Sequence, residues 1–475
     1  MPMIQFPLGG FDLDYNSKQS RAEVINGYME GEQEFISVRR TEGLEEWIDC
    51  EEPRIRSDLL LVDGLIYFVA GESLYQVDRL KNLVNLGTVG GSGRCVLAAN
   101  NIPDDSQILV LNGLGQALVY QPSAGLTAVS DGNYEAASYV TVLNERFWFP
   151  KDNSNQFFAS AVSDGTTYPS TAIATAEESP DNVVAPLALK SALWVIGTKT
   201  TEYWQSINDS SLPVRQVKGA SYERGCAAVN SIVRTGDTAC FLSDDKTVRM
   251  LSGNQMIEVS TLSFTLEVRG DGTLRNPGYS KVDDAYAFYV DGPVHKVYYL
   301  TFPTEGVTWG FDLAQGVWHK RKSEGMGKWR ATGAVSAYDQ VIIADGESGK
   351  LYTMSYGSRT EDGSQMTFEL TTPSLSWQKD VVIPMIEIDM ETGVGLTDGQ
   401  GEDPLMMVEY SKDGGLTWVE HSSVNLGRLG QYNTRVPMYQ FGRVIRNQDF
   451  ALRLRVSDPV EVRMYRAWIT LEEGM

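Results

Sequence analysis

The chain has 475 residues, an ordinary apolar content of 42% and a net charge of −22. That acidity argues against non-specific binding to nucleic acid as a free monomer, because the phosphate backbone would be repelled. The four cysteines, Cys50, Cys95, Cys226 and Cys240, form no C-x-x-C and suit buried free thiols in a reducing compartment rather than a disulfide framework.

In chain order, no signal peptide is expected, since Asp12 and Asp14 follow the first short apolar run. Residues 1–40 read as an extended N-terminal segment. Phe6-Pro-Leu-Gly-Gly-Phe11 carries no helical or strand period, and Arg21 to Gly31 suggests one short turn or strand. A segment that is apolar yet too short for its own core is expected to pack on the C-terminal domain or on a neighbouring subunit.

Residues 41–360 predict a β-propeller. Leu59 to Val62, Leu65 to Ala70 and Ser73 to Val77 form short apolar runs separated by Asp-Gly and Gly-Glu turns. Similar units recur at Ile108–Tyr120, Ala192–Trp204, Thr238–Leu251, Ala285–Leu300 and Gln340–Met354. A spacing of roughly 40–50 residues fits four-stranded blades that pack only on their neighbours and must close into a ring. Degenerate repeats leave the number of blades at about six to eight. The longest apolar stretch, Leu65 to Ala70, is too short to cross a bilayer, so no membrane insertion is expected.

A composition shift at 357–365 marks the start of a β-sandwich-like C-terminal docking domain, residues 361–475. It contains Ser411, Asp413, Gly415, Thr417 and Trp418, an S-x-D-x-G-x-T-W pattern resembling the Asp-box hairpin of sialidases. Asp-Gly-Gly tolerates positive φ, the carboxylate and hydroxyl can bond the turn's own amides, and Trp418 is expected to pack beneath. Two later strands alternate apolar residues with arginines, Phe450 to Val456 and Glu461 to Leu471. After Glu420 there are eight arginines and no lysine. Arg443, Arg446, Arg453, Arg455 and Arg463 are therefore a candidate interface, able to dock an anionic surface through planar forks. Local ion pairs on a solvated strand face are the alternative reading of the same residues.

Sites for chemistry are sparse. His295, His319 and His421 stand alone without metal-ligand spacing. Gly346-Glu-Ser-Gly349-Lys350 lacks the first glycine and the terminal Ser or Thr of a phosphate loop, and reads as a hairpin turn. Gly90-Gly-Ser-Gly93-Arg94 is likewise a turn. A sialidase would carry several Asp-boxes within its blades, and here the one such box lies outside the propeller. No catalytic residue, cofactor or metal is assigned, although carboxylate pairs for glycoside hydrolysis remain among the many acidic residues.

Several motifs together resemble the packaged-DNA stabilisation, or tail hub and nozzle, proteins of short-tailed bacteriophages. They are Gly71-x-x-Leu74-Tyr75 with Gly91-Ser-Gly93-Arg94, Glu177-x-x-Pro180-Asp181, and Leu193-Trp194-x-x-Gly197 with Glu202-Tyr203-Trp204. In the C-terminal region they are Glu391-Thr-Gly-Val-Gly395, the Tyr410–Trp418 hairpin, Arg443-x-x-Arg446 and Phe450-x-Leu-Arg-x-Arg-Val-Ser-Asp-Pro459. The resemblance implies a head-completion protein made in the host cytoplasm and carried in the virion tail. It further implies a homohexameric ring below the head-to-tail adaptor, which prolongs the DNA channel, helps retain DNA, and carries tail fibres or tailspikes and a needle or plug. DNA would pass through the lumen without sequence-specific binding. A propeller glycosidase or glycan-binding tail component is the alternative from another class, and a soluble propeller scaffold outside the virion is the third.

Overall fold

The computed structural model describes residues 3–8, 22–31, 36–178, 181–209, 211–271, 277–432 and 435–473. Outside them lie Gly9, Gly10 and Phe11 of the Phe6–Phe11 run, Asp12 and Asp14, Arg21 of the Arg21–Gly31 run, and Pro180 of the Glu177 motif. The described chain is almost entirely β, with one α-helix, Leu262–Arg269, capped by Thr261 accepting from the Phe264 amide.

Seven four-stranded antiparallel units follow one another among the described residues. The first is Leu60–Val62, Leu65–Ala70, Ser73–Val77 and Leu83–Thr88, hydrogen-bonded in that order. The next four occupy residues 96–128, 141–175, 183–222 and 233–258. The sixth runs from Tyr286–Asp291 to Val317–Lys320. The seventh takes three strands from the same stretch of chain, Ala331–Ala337, Gln340–Asp345 and Lys350–Ser355, and its outer strand, Gly43–Asp49, from the N-terminal region. The ring closes where the Ala334 amide donates to Asp58 Oδ1 at 2.9 Å, just ahead of the first unit. Sharing a blade between distant stretches of sequence locks the circle, because opening it must break a full strand ladder.

Apolar clusters fill the wedges between units; one joins Trp148, Phe157, Leu193 and Trp204 from the third and fourth. All four cysteines are free and buried.

The C-terminal domain is a sandwich of two sheets. One contains Gly27–Glu30, Ser37–Arg40, Arg463–Glu473, Val381–Met390 and Val436–Val444, with Met3–Phe6 pairing along Arg463–Glu473. The other contains Phe368–Thr371, Asp449–Val456, Leu405–Ser411 and Val419–Asn425. Strand alternation works as the sequence suggests. Phe450, Leu452, Leu454 and Val456 face the core, and Arg453 and Arg455 face outward.

Glu23–Ile25 joins the two domains. It pairs in parallel with the sixth unit at Ile25–Lys320 and antiparallel with Phe368–Thr371, so one ten-stranded sheet runs from the propeller into the sandwich. The segment 1–40 therefore contains four strands among its described residues, where the sequence suggests one short turn or strand over Arg21 to Gly31. These strands are too short to show a period, and their register is set by distant partners.

Candidate functional site

Each recurring motif in the propeller proves to brace a turn. Arg56 is buried and spends its donors on backbone carbonyls: Gly71 at 2.8 Å, Gly93 at 2.9 Å, and Gly90 and Asn112 at 3.1 Å. Gly71 has φ +54°, and a side chain on Gly91 would run into the Asn112 carbonyl. Asp181 accepts from the amides of Lys199 at 2.6 Å and Thr200 at 2.7 Å, against which Gly197 must lack a Cβ. Glu202 accepts from the Glu178 amide at 3.0 Å and from Trp204 Nε1 at 2.9 Å. The Gly346–Lys350 stretch is a hairpin turn: Asp345 holds Arg330 at 2.7 Å and the Glu347 amide at 2.9 Å, and Lys350 pairs with Glu46 and Asp362.

Arg94 reaches across the first unit to Thr332, donating to its carbonyl at 2.8 Å and its hydroxyl at 2.5 Å, and stacks over Tyr286 at 4.7 Å. Cavities of about 310 and 350 Å³ both share Arg94 in their walls. Asp58 lies beside it; burial raises its carboxyl to about 6 against the opposing pull of Arg94.

In the Asp-box, Ser411 Oγ donates to Asp413 Oδ1 at 2.7 Å and accepts from the Gly415 amide at 2.8 Å. Asp413 accepts from the amides of Leu416 and Thr417, both at 2.9 Å, and from the Thr417 hydroxyl at 2.6 Å. Desolvation pushes this carboxyl up, but the hydrogen bonds from Thr417, Ser411 and Leu416 outweigh it and hold it at about 2. Gly414 and Gly415 supply φ of +72° and +84°. The Arg453 guanidinium lies 4.4 Å over the Trp418 ring.

The five candidate arginines occupy three places rather than one face. Arg453 and Arg455 share the outer surface of one sheet and meet Glu409 and Glu369, at 2.6 and 2.7 Å. Arg443 pairs with Asp380 at 2.6 Å, and the Arg446 amide donates to the same carboxylate at 2.8 Å. Arg463, on the other sheet, reaches Glu30 at 3.2 Å. Strand alternation foretells which side of a strand each occupies, but not which sheet or which acid.

A buried polar network lies at the junction between the domains, and its members were not singled out in the sequence as linked. His295 places Nδ1 2.6 Å from Asp312 and Nε2 3.2 Å from Glu30, with Tyr28 stacked on its ring at 3.8 Å. Burial opposes charge on His295, yet the bonds to Asp312 and Glu30 prevail and raise it to about 9. The same bond, with help from Arg463, lowers Glu30 to about 2. His319, buried without such acids in contact, falls to about 3. Asn26, at φ +54°, donates to the carbonyls of Lys322 at 3.1 Å and Thr367 at 2.9 Å and accepts from the Lys322 amide at 3.0 Å. Arg40, fully buried, donates to Asp458 and Val460 carbonyls at 2.5 and 3.0 Å. His421 binds Ser422 and the Tyr439 carbonyl and stacks on Phe441. Among the described residues, no cluster of His, Cys, Asp and Glu could hold a metal ion and no helix is long and apolar enough to cross a membrane.

These features define an all-β protein in which a propeller is spliced by shared strands to a sandwich. The chain belongs to the bacteriophage P22 Gp10 family: that family's beta-propeller matches residues 58–358 and its beta-sandwich matches residues 367–472. It is accordingly a virion protein of the tail hub or nozzle type found in short-tailed phages. None of the curated proteins matches the chain. Among solved structures it is similar to a catalytically inactive virginiamycin B lyase from Staphylococcus aureus with quinupristin, at TM-score 0.44 and 9% identity, over 65% of this chain and 98% of that one. It is also similar to BamB from Moraxella catarrhalis, at TM-score 0.38 and 8% identity, over 74% and 96% of the two chains. Likenesses this distant carry no argument about activity.

Proposed function

We propose that this chain is a non-enzymatic building block of the tail, assembled as a homohexameric ring beneath the head-to-tail adaptor. The ring extends the DNA channel, helps hold packaged DNA, and anchors fibres or tailspikes and the needle or plug. The observation that carries this reading is the continuous sheet through Glu23–Ile25, reinforced by Asn26 and His295. A propeller free to swing would suit a ligand-binding module, whereas one bonded into its neighbour transmits load and holds a fixed docking face. A net charge of −22 favours a wall that repels phosphate and so leaves no deep binding wells along the path.

The experiment is to delete the gene from its phage, complement with tagged protein, and image purified particles. A six-fold ring below the adaptor, with DNA leaking from particles that lack it, is the expected result. Absence of the protein from particles would refute the reading. Incubation of the pure protein with host surface polysaccharide tests the enzymatic alternative, for which released reducing ends would be required.

A further inference from the structure

Five of the seven propeller units send their first strands to one cavity of about 350 Å³, with Leu60, Val96, Thr141, Arg234 and Ala287 in its wall. The cavity therefore lies where the blades converge, and most of its lining residues are aliphatic. Three charged groups share that wall: Asp58, Arg94 and Arg234. Two of them are already engaged. The Asp58 carboxylate accepts the amides of Leu59 at 2.8 Å and Ala334 at 2.9 Å, with Arg94 as its counter-charge. Arg94 in turn donates to Thr332.

Arg234 differs. It lines the cavity as an exposed residue, and its guanidinium makes neither an ion pair nor a hydrogen bond among the described residues. Acidic residues outnumber basic ones by 62 to 40 in this chain, yet none is brought to it. Arg249, in the same unit, holds Asp245 at 2.8 Å and Glu258 at 2.9 Å, and Arg224 just ahead of the unit holds Asp245 at 3.1 Å. Two neutral donors stand in the same wall as Arg234. The Tyr139 phenol is buried and feels the Arg234 charge, and the Asn230 carboxamide is half-buried. Neither side chain has a hydrogen-bond partner among the described residues.

We propose that this cavity binds a small organic carboxylate, an acid with an apolar body. Arg234 offers its planar fork to the two oxygens, Tyr139 and Asn230 supply further donors, and the aliphatic wall takes the hydrocarbon part. One unpaired cation matches one negative charge. A phosphate group carries about −1.5 to −2 at neutral pH and would set its excess charge against Asp58. Such a site is independent of where the chain sits in the tail.

The probes are hexanoate and benzoate, one linear and one flat, titrated into the full chain and followed by ligand-observed NMR. Hexanamide and benzamide, which keep the shapes without the charge, are titrated beside them. Saturable binding of at least one acid is expected, weakened at least about tenfold in its amide and in Arg234→Gln. Asn230→Ala is expected to weaken it by a smaller factor. Because Arg234 holds no acid, its variant should keep the wild-type melting temperature, which separates a lost site from a lost fold. Arg224→Gln, outside the lining, should bind as the wild type does. Absence of saturable binding by either acid, equal binding of the amides, or indifference to Arg234→Gln overturns the proposal. Displacement of the acid by an equal concentration of inorganic phosphate would overturn it as well, by showing that the wall reads charge alone.

Discussion

The propeller and the sandwich are built from the same antiparallel hairpins but bury different things. In the sandwich, one contiguous apolar core runs from Phe6 through Ile383, Leu452 and Ile469, with Arg40 a buried charge bonded to backbone carbonyls. In the propeller the apolar contacts break into separate clusters between units, and buried charges such as Arg56 and Asp345 tie the turns. The difference follows from geometry. Two stacked sheets share a large interface whose area alone fixes their relation. Wedge-shaped blades touch along narrow strips, so directional bonds at their turns set the angle from one unit to the next.

The comparison breaks most severely if the shared strands are lost. Removing residues 1–49 takes away the outer strand of the seventh unit, the splint Glu23–Ile25 and three strands of the sandwich. The expected outcome is loss of the cooperative transition in both domains, measured by calorimetry together with limited proteolysis. A truncated chain that still melts in one sharp step and assembles into tails would show that the N-terminal segment is an accessory.

Substituting the junction histidine should sharpen the distinction. His295→Ala strands Asp312 and Glu30 and is expected to cost about 3 kcal/mol, from the loss of a buried charge pair. The effect has a sign in pH. Because folding raises His295 to about 9 from an unfolded value near 6.5, its contribution is whole below about pH 6.5 and fades as pH climbs through 9. Glu30, lowered to about 2, behaves oppositely: its share is whole above about pH 4.5 and disappears as pH falls towards 2. The stability gap between wild type and His295→Gln should therefore be widest between about pH 4.5 and 6.5 and narrow on either side. A gap constant from pH 5 to 9.5 would mean that the histidine is held uncharged.

Smaller effects belong to the sandwich surface. Asp413→Ala removes the acceptor for two amides of the Asp-box turn and should destabilise the fold by about 1 kcal/mol, with the propeller unaffected. Hydrogen exchange at Leu416 and Thr417 would report the loss locally, and a chemical activity abolished without a stability change would contradict a purely structural turn. Arg443→Ala, at an exposed pair, should leave the melting temperature unchanged. Arg453→Ala adds the loss of Trp418 stacking and should fall between these two. If either arginine variant folds normally yet leaves particles that package DNA and leak it, the face is an assembly interface despite its internal pairs. Particles that fill, hold and eject normally would make it a solvated surface.

The sequence by itself determined the all-β class, the repeated hairpins, the Asp-box turn and the inward and outward sides of Phe450–Val456. These are local properties: a period of two, glycines that permit positive φ, and side chains that bond their own turns. It also carried the family motifs, although not their reason, since Gly91 and Gly197 owe their lack of a side chain to a carbonyl and a carboxylate distant in sequence. Only the tertiary structure decided that Gly43–Asp49 completes the seventh unit, that Glu23–Ile25 joins two domains in one sheet, and that His295 meets Glu30 across 265 positions. It also dispersed the five arginines to three places. Strand periodicity tells which face a side chain takes, but pairing between strands far apart is chosen by register, burial and charge acting over the whole molecule, and no short stretch contains that information.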